Sequence, residues 1–372
     1  MSELARLAQE YRDYARFEMA THGSPIYAAI CLGLADDPDV GGIGLLARPG
    51  FRTPLILLAA VHHLLLSGLD HPLARYYPSM VGHAARPIDA DLYPTFADLV
   101  RGHRAEVERL VATRTTQTNE ARRTVVTIPA IGLVAKRETE SLALLEVGAS
   151  AGLNLLPDRF GFRIGSRRVG DERSAVQISC AVEGELLPPV PSTMPQIAWR
   201  AGLDLNPLDV HDPDTVVWLR ALIWPEHLDR MAILAAAVAI ARDEPPALFR
   251  GDLVDDLPAV AAAVPGSCAL VVIETWVLAY VAAERRLAFV AELRRLASDL
   301  ARPVWLVACE GQAVTAGLDL DIATAPAEGS GFSVLTLHRF EPGGGLEHSL
   351  LAECHAHGRW IRWLDRGAAG AA

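Results

Sequence analysis

The chain has 372 residues, 51% of them hydrophobic, and a net charge of −11. So much apolar sequence excludes wholesale disorder, and the length suits two domains or one large domain with an added lobe. The acidic balance speaks against a nucleic-acid backbone as main partner, because phosphate neutralisation needs clustered Lys and Arg. Five cysteines, at 31, 180, 268, 309 and 354, are scattered without any C-x-x-C pair. That pattern predicts no disulfide framework or zinc knuckle and fits a reducing cytosol. The first residues, MSELARLAQEYRDYARF, are amphipathic and lack the apolar core of a signal peptide. The apolar stretches 54–66 and 231–241 are too short to span a bilayer and read as buried helices, so no membrane partner is expected.

Residues 1–136 read as an all-helical lobe. Thr53-Pro54 marks a helix start and Ser67-Gly68 a stop. Further helices are expected over 91–113 and 118–136, with loops at 36–50 and 71–80. From about 137 strands alternate with helices. SLALLEVG (141–148) predicts a fully buried strand, and the alternation over 160–183 predicts a β-hairpin inside an insertion of about 158–195. PQIAWRAGLDLNP (195–207), a short stretch before RGD (250–252), CALVVIE (268–274) and PVWLVACEG (303–311) read as strands. DPDTVVWLRALIWPE opens a helix with an Asp cap and proline in the first turn. Residues 283–300 form the clearest amphipathic helix, with Leu287, Val290, Leu293, Leu296 and Leu300 on one face. Segments 331–340 and 346–358 are joined by EPGGG, too short for a parallel crossover, so they must be antiparallel. The fold class expected is α/β: a doubly wound, Rossmann-like, mostly parallel sheet with a C-terminal antiparallel hairpin, an N-terminal helical lobe and a hairpin insertion.

In LLEVGASAGLNL (144–155) a buried strand ends in one carboxylate, Glu146, followed by Gly148 and Gly152 with only small residues between. A strand, a small-residue turn and a helix start make the first βα unit of a doubly wound sheet, where ligands bind beyond the strand ends. The nicotinamide fingerprint is G-x-G-x-x-G with its acid about twenty residues further on, whereas this is G-x-x-x-G with the acid before the turn. An acid there would repel a pyrophosphate. It suits a cofactor with a cation and no phosphate, such as S-adenosylmethionine.

E-V-G-A-S-A-G resembles motif I of the class I S-adenosylmethionine-dependent methyltransferases, with Ser150 at the usual middle glycine. The resemblance implies cofactor contacts at Glu146, Gly148, Ser150, Gly152 and Asn154. GLDLNP is similar to the acidic motif that holds the ribose, implying Asp204, or Glu183 or Glu185 if AVQISCAVEGE is the true second strand. FRGDL is similar to the Gly-Asp that meets the adenine amine, implying Asp252 and Leu253. VVIETW stands where the methyl acceptor lies, with Thr275, Trp276 and Tyr280 beside the substrate; Glu274, closing an apolar run, would be partly desolvated, its carboxyl raised toward that of a general base, and is the expected catalytic base. On this reading, alanine at Asp204 or Asp252 weakens cofactor binding without unfolding the chain. The whole chain also resembles an uncharacterised bacterial family known only as a domain of unknown function, through HHLLLSG, HPLARYYPS, QTNEARR, RGD and the tail HAHGRWIRWL. The fourth-strand site of that family reads His then Ser or Thr, where this chain has Glu274-Thr275-Trp276.

Other candidates are local. If QTNEARR is helical, Asn119, Glu120 and Arg123 share a face that would cover the cofactor or hold an acidic group of the substrate. His62 and His63 lie in an apolar helix, where a satisfied core histidine is the commoner case. His63 and Tyr77 are the candidates for the acceptor pocket, with His71 and Tyr76 weaker ones. Glu353, His355 and His357 share a strand face, a weak metal motif, and no metal is expected. The expected function is therefore methyl transfer to an O or N nucleophile of a small-molecule acceptor, with the helical lobe as its lid. The alternatives are a non-catalytic S-adenosylmethionine or adenine-nucleotide binder and, third, a nicotinamide oxidoreductase.

Overall fold

The structure, a computed structural model, describes residues 2–19, 23–48, 53–138, 141–318, 320 and 332–367. The chain forms two compact units, Met1–Thr118 with His211–Ala232, and Asn119–Val210 with Ile233–Ala372. The sequence division at 136 follows the onset of strands; the compact units divide at 118 instead, and 211–232 returns to the first.

The first unit is helical. Its central helix, Thr53–Leu66, is apolar on every side and buries Leu55 to Val61, Leu64 and Leu65, as a helix without a polar face must. The single helix expected over 91–113 is two, Leu92–Gly102 and Arg104–Thr113, broken where Gly102 meets the non-helical backbone of His103. The expected loops at 36–50 and 71–80 coil into short helical turns, Pro38–Gly41, Gly42–Leu46, Pro72–Tyr76 and Pro78–Val81, each but the second opened by proline. Residues 49 and 50 lie outside the described residues. His62 Nε2 lies 2.8 Å from Ser79 Oγ and its Nδ1 lies 3.2 Å from the Ala221 carbonyl. His63 Nε2 lies 2.9 Å from Asp214 Oδ1. Burial holds both imidazoles neutral, pushing His62 down to about 3 and His63 to about 4. Tyr77 is fully buried, its ring edge-on to Tyr27 and His62.

The second unit is built on one sheet of eleven strands: β1 (Ser141–Val147), β2 (Gly161–Ile164), β3 (Arg167–Gly170), β4 (Gln177–Glu183), β5 (Ile197–Asp204), β6 (Ala247–Arg250), β7 (Cys268–Thr275), β8 (Val304–Gly311), β9 (Phe332–Phe340), β10 (Leu346–His355) and β11 (Trp360–Trp363). Their order is β3-β2-β4-β11-β10-β9-β8-β7-β1-β5-β6. The run β6-β5-β1-β7-β8 is parallel throughout, and the chain winds from β1 first to one side and then to the other. β9 and β10 are antiparallel, turned by Glu341–Gly345 with Gly344 at φ +85°.

Two expectations need correction here. Within the insertion only β2 and β3 form a hairpin, about Gly165; β4 runs parallel to both β2 and β11. The insertion thus continues the same sheet at the side away from β1. The tail motif RWIRW is also a strand, β11, with Ile361 and Trp363 buried and Arg362 exposed between them. Residue 331, the first of the strand expected over 331–340, lies outside the described residues.

Helices cover both faces of the parallel strands. Leu257–Ala261 and Ala283–Asp299 share a core with Leu145, Val147, Leu270, Val272, Leu306 and Ala308. From Ala283–Asp299 this core takes Phe289, Val290, Leu293, Leu296 and Ala297, whereas Leu287, expected on that face, is 45% exposed. The helix expected over 118–136 begins only at Thr124. The stretch before it, TRTTQTN, is rich in side chains that compete with the helical backbone for hydrogen bonds, and Glu120 accepts from the Arg122 N–H to start a single 3-10 turn, Ala121–Arg123. Asn119, Glu120 and Arg123 therefore do not share a helix face.

Candidate functional site: paired acids at the carboxyl edge of the sheet

Four neighbouring strands each carry an acid at their last or next-to-last residue: Glu310 on β8, Glu274 on β7, Glu146 on β1 and Asp204 on β5. Residues paired across parallel strands point to the same face, and neighbours along a strand to opposite faces. Glu146 pairs with Gly202, so Asp204, two residues on, shares its face. Glu274 pairs with Ala308, so Glu310 shares its face. Glu146 pairs with Ile273, however, so Glu146 and Glu274 point to opposite faces. The edge thus carries two carboxyl pairs, one on each side of the sheet.

The turn after β1 alternates through the left-handed region, with Gly148 at φ +70°, Ser150 at +53° and Gly152 at +73°. Such turns gather backbone N–H groups that favour an anion. Here the anion is the chain's own: Asp204 Oδ2 accepts from Ser150 N at 2.8 Å, and its Oδ1 from Asn206 N at 2.7 Å. The glycines also leave room for neighbouring side chains. A Cβ on Gly148 would lie 2.3 Å from Val277 Cγ2, and one on Gly152 2.6 Å from Pro246 Cγ. Gly148→Ala is therefore expected to lower stability by about 2–4 kcal/mol through strain and overpacking. Adding Val277→Gly, which also removes the Val277 Cβ 2.5 Å away, should return the overpacking part, and urea unfolding of the two variants measures it.

Glu146 is 1% exposed. Its Oε1 accepts from Asn154 Nδ2 at 2.8 Å, while its Oε2 and Asn154 Oδ1 are buried without a hydrogen-bond partner. Burial pushes the Glu146 carboxyl up to about 8; the charge of Asp204 adds to this, and the Asn154 bond and the Arg123 charge oppose it. The QTNEARR stretch reaches this edge. Asn119 Oδ1 accepts from Leu153 N at 3.0 Å, and Arg123 donates from Nη1 to the Thr275 carbonyl at 3.2 Å and from Nε to the Ala356 carbonyl at 3.3 Å. Glu120 Oε2 lies 3.9 Å from His357 Nδ1.

On the opposite face Glu274 is fully buried, and neither of its oxygens has a hydrogen bond of sound geometry. Burial, then the charge of Glu310, raise its carboxyl far above the usual range. Glu310, also fully buried, is raised by burial, but it accepts from Ala279 N at 3.2 Å and Gly311 N at 3.3 Å. The charge-favouring N–H groups make Glu310 the carboxylate of the pair and Glu274 its protonated member. Burial therefore favours the protonated form of Glu274, the residue expected as the catalytic base. Sequence reasoning missed Glu310, although VWLVACEG repeats the pattern of VVIET, an apolar run closed by an acid.

The remaining candidates are placed as follows. Asp252 Oδ1 accepts from Val254 N at 2.7 Å and Asp255 N at 3.2 Å, and its carboxylate pairs with Arg285. Partial burial disfavours its charge, but these N–H groups and Arg285 prevail and hold the carboxyl below the usual range. Leu253 packs at the edge of the core shared by β1 and β7, Thr275 is buried, and Tyr280 is 46% exposed. Glu183 and Glu185 are not candidates by position, since the strand beside β1 is β5. His63 and Tyr77 belong to the core of the helical unit. Glu353 is engaged by Arg362 at 2.9 Å, and among the described residues no three His, Cys, Asp or Glu are placed to hold a metal ion. Nor, among those residues, is any helix long and apolar enough to cross a membrane.

Fold and edge together define a mixed α/β protein with a mostly parallel sheet, whose central strands end in paired buried acids. The chain belongs to a bacterial family described as "Uncharacterized protein conserved in bacteria" (DUF2332), whose model matches residues 8–363. No curated protein and no solved structure matches it.

Proposed function

We propose that the second unit binds S-adenosylmethionine beside Glu146 and transfers its methyl group to an O or N nucleophile of a small-molecule acceptor. One observation carries this reading: Glu146 Oε2, at the end of the first strand, and Oδ1 of Asn154, whose amide bonds the same carboxyl, are buried oxygens without a hydrogen-bond partner. An unsatisfied buried acceptor is costly; without ligand, burial keeps a proton on Glu146, and an ammonium would displace it and donate to these oxygens. The winding of the parallel strands about β1 puts these oxygens at the strand ends, the part of a doubly wound, Rossmann-like sheet that holds ligands. On this reading Asp204 meets the ribose and Asp252 the adenine amine. The bound cofactor supplies an electrophilic methyl on a sulfonium; the chain's part is to position it against the nucleophile.

A second reading, a protein that binds this cofactor without turnover, draws on Glu274. Burial favours its protonated form, and in that form it would not take the nucleophile's proton. A nicotinamide cofactor fits less well, since the Ser150 N–H that would meet a pyrophosphate is held by Asp204. Calorimetric titration with S-adenosylmethionine, S-adenosylhomocysteine and NADH tests the reading. Binding of the first two, with NADH silent, is the expected result; binding of NADH alone would overturn it. Mass analysis of candidate acceptors then separates turnover from binding.

A further inference from the structure

Residues 276–281 lie over the Gly148 turn, with Val277 filling the space of the missing Cβ. Trp276 sits at φ +59°, a left-handed conformation that is strained for a bulky residue and persists only where neighbours enforce it. Its N–H donates to the Cys309 carbonyl at 3.1 Å and its Nε1 to Ser333 Oγ at 2.9 Å. Further along, Ala279 N donates to Glu310, and Arg286 Nε bonds the carbonyls of Leu278 and Val281 at 2.8 Å each. The strained turn is therefore held in part by Glu310, one member of the carboxyl pair. The groups bearing on Glu274 are Glu310, the Cys309 thiol and the Val277 backbone, and those bearing on Glu310 are Glu274 and the backbone of Leu278, Ala279 and Gly311. No cation is among them, and Arg286 is engaged with the carbonyls of the turn.

We propose that Glu274 and Glu310 form a proton-operated latch: while the pair keeps one proton the 276–281 turn stays down over Gly148, and its loss opposes two carboxylates and frees the turn. Two adjacent buried carboxylates cannot both ionise without large repulsion, and little here would screen it. The latch does not rest on the function proposed above.

Hydrogen–deuterium exchange of the 276–281 amides, corrected for intrinsic pH dependence, tests the latch without any ligand. In the native protein, exchange at Ala279 is expected to rise about tenfold per pH unit as the pair gives up its proton. Glu274→Gln, which cannot ionise, should abolish that rise, and Glu310→Ala should leave the turn unprotected at every pH. Flat exchange in the native protein, or the same rise in Glu274→Gln, would overturn the proposal. Failure of S-adenosylhomocysteine to bind would instead count against the function and leave the exchange result standing.

Discussion

Glutamine in place of Glu146 is expected to make the protein more stable above pH 8, although it removes a buried carboxylate from the centre of the site. The ordinary carboxyl value is 4.5, and burial carries Glu146 to about 8 in the folded chain. The folded state therefore holds a proton that the unfolded state has released between those values. The resulting stability is fully present below pH 4.5 and is lost as pH rises through 8. Each pH unit between the two values corresponds to about 1.4 kcal/mol, so the loss for Glu146 is of the order of 3–5 kcal/mol. The uncharged amide avoids it and keeps an acceptor for Asn154. Urea unfolding from pH 4 to pH 9 should show the native protein weakening across this range and Glu146→Gln weakening less, by that amount at the alkaline end. Equal slopes would mean that Glu146 is ionised when folded. The Glu274–Glu310 pair acts in the same direction, so the difference between the two proteins isolates Glu146.

Asp204→Ala has the second large effect, of opposite sign. The sequence reading expects it to weaken cofactor binding and leave the fold intact. Its carboxylate, however, accepts from the N–H groups of Ser150 and Asn206 and holds Ser150 in the left-handed region. A hydrogen bond to a charged group contributes about 1.5–3 kcal/mol, and both donors lose their partner. A loss of about 2–5 kcal/mol is expected, with Asp204→Asn intermediate because one oxygen remains. Thermal or urea unfolding measures it. A stable Asp204→Ala that fails only to bind ligand would return Asp204 to a pure binding role.

These two residues also mark how far the sequence is legible. Glu146 and Asp204 are readable because each closes an apolar run before a turn, a pattern local to a few residues. The same signal is present at Glu310, where no resemblance points to it. What no local pattern carries is register. Whether Glu274 faces Glu146 or turns its back on it depends on how β1 and β7 align, and one residue of offset separates the two outcomes. The glycines illustrate a different gap. Gly148 and Gly152 read as room for a ligand, yet the space is taken by Val277 and Pro246, residues distant in sequence. Asn119 and Arg123 do reach the edge, but not from a shared helix face, because tertiary bonds to Leu153, Thr275 and Ala356 fix them there instead.

The most direct test of the account is the proton count of ligand binding. A cationic donor beside Glu146 must displace the proton that burial keeps there. Titration of S-adenosylmethionine into the protein at pH 7, repeated in buffers of different ionisation enthalpy, should show close to one proton released per ligand, and none in Glu146→Gln. Binding with no proton release in the native protein, or the same release in the variant, would contradict it.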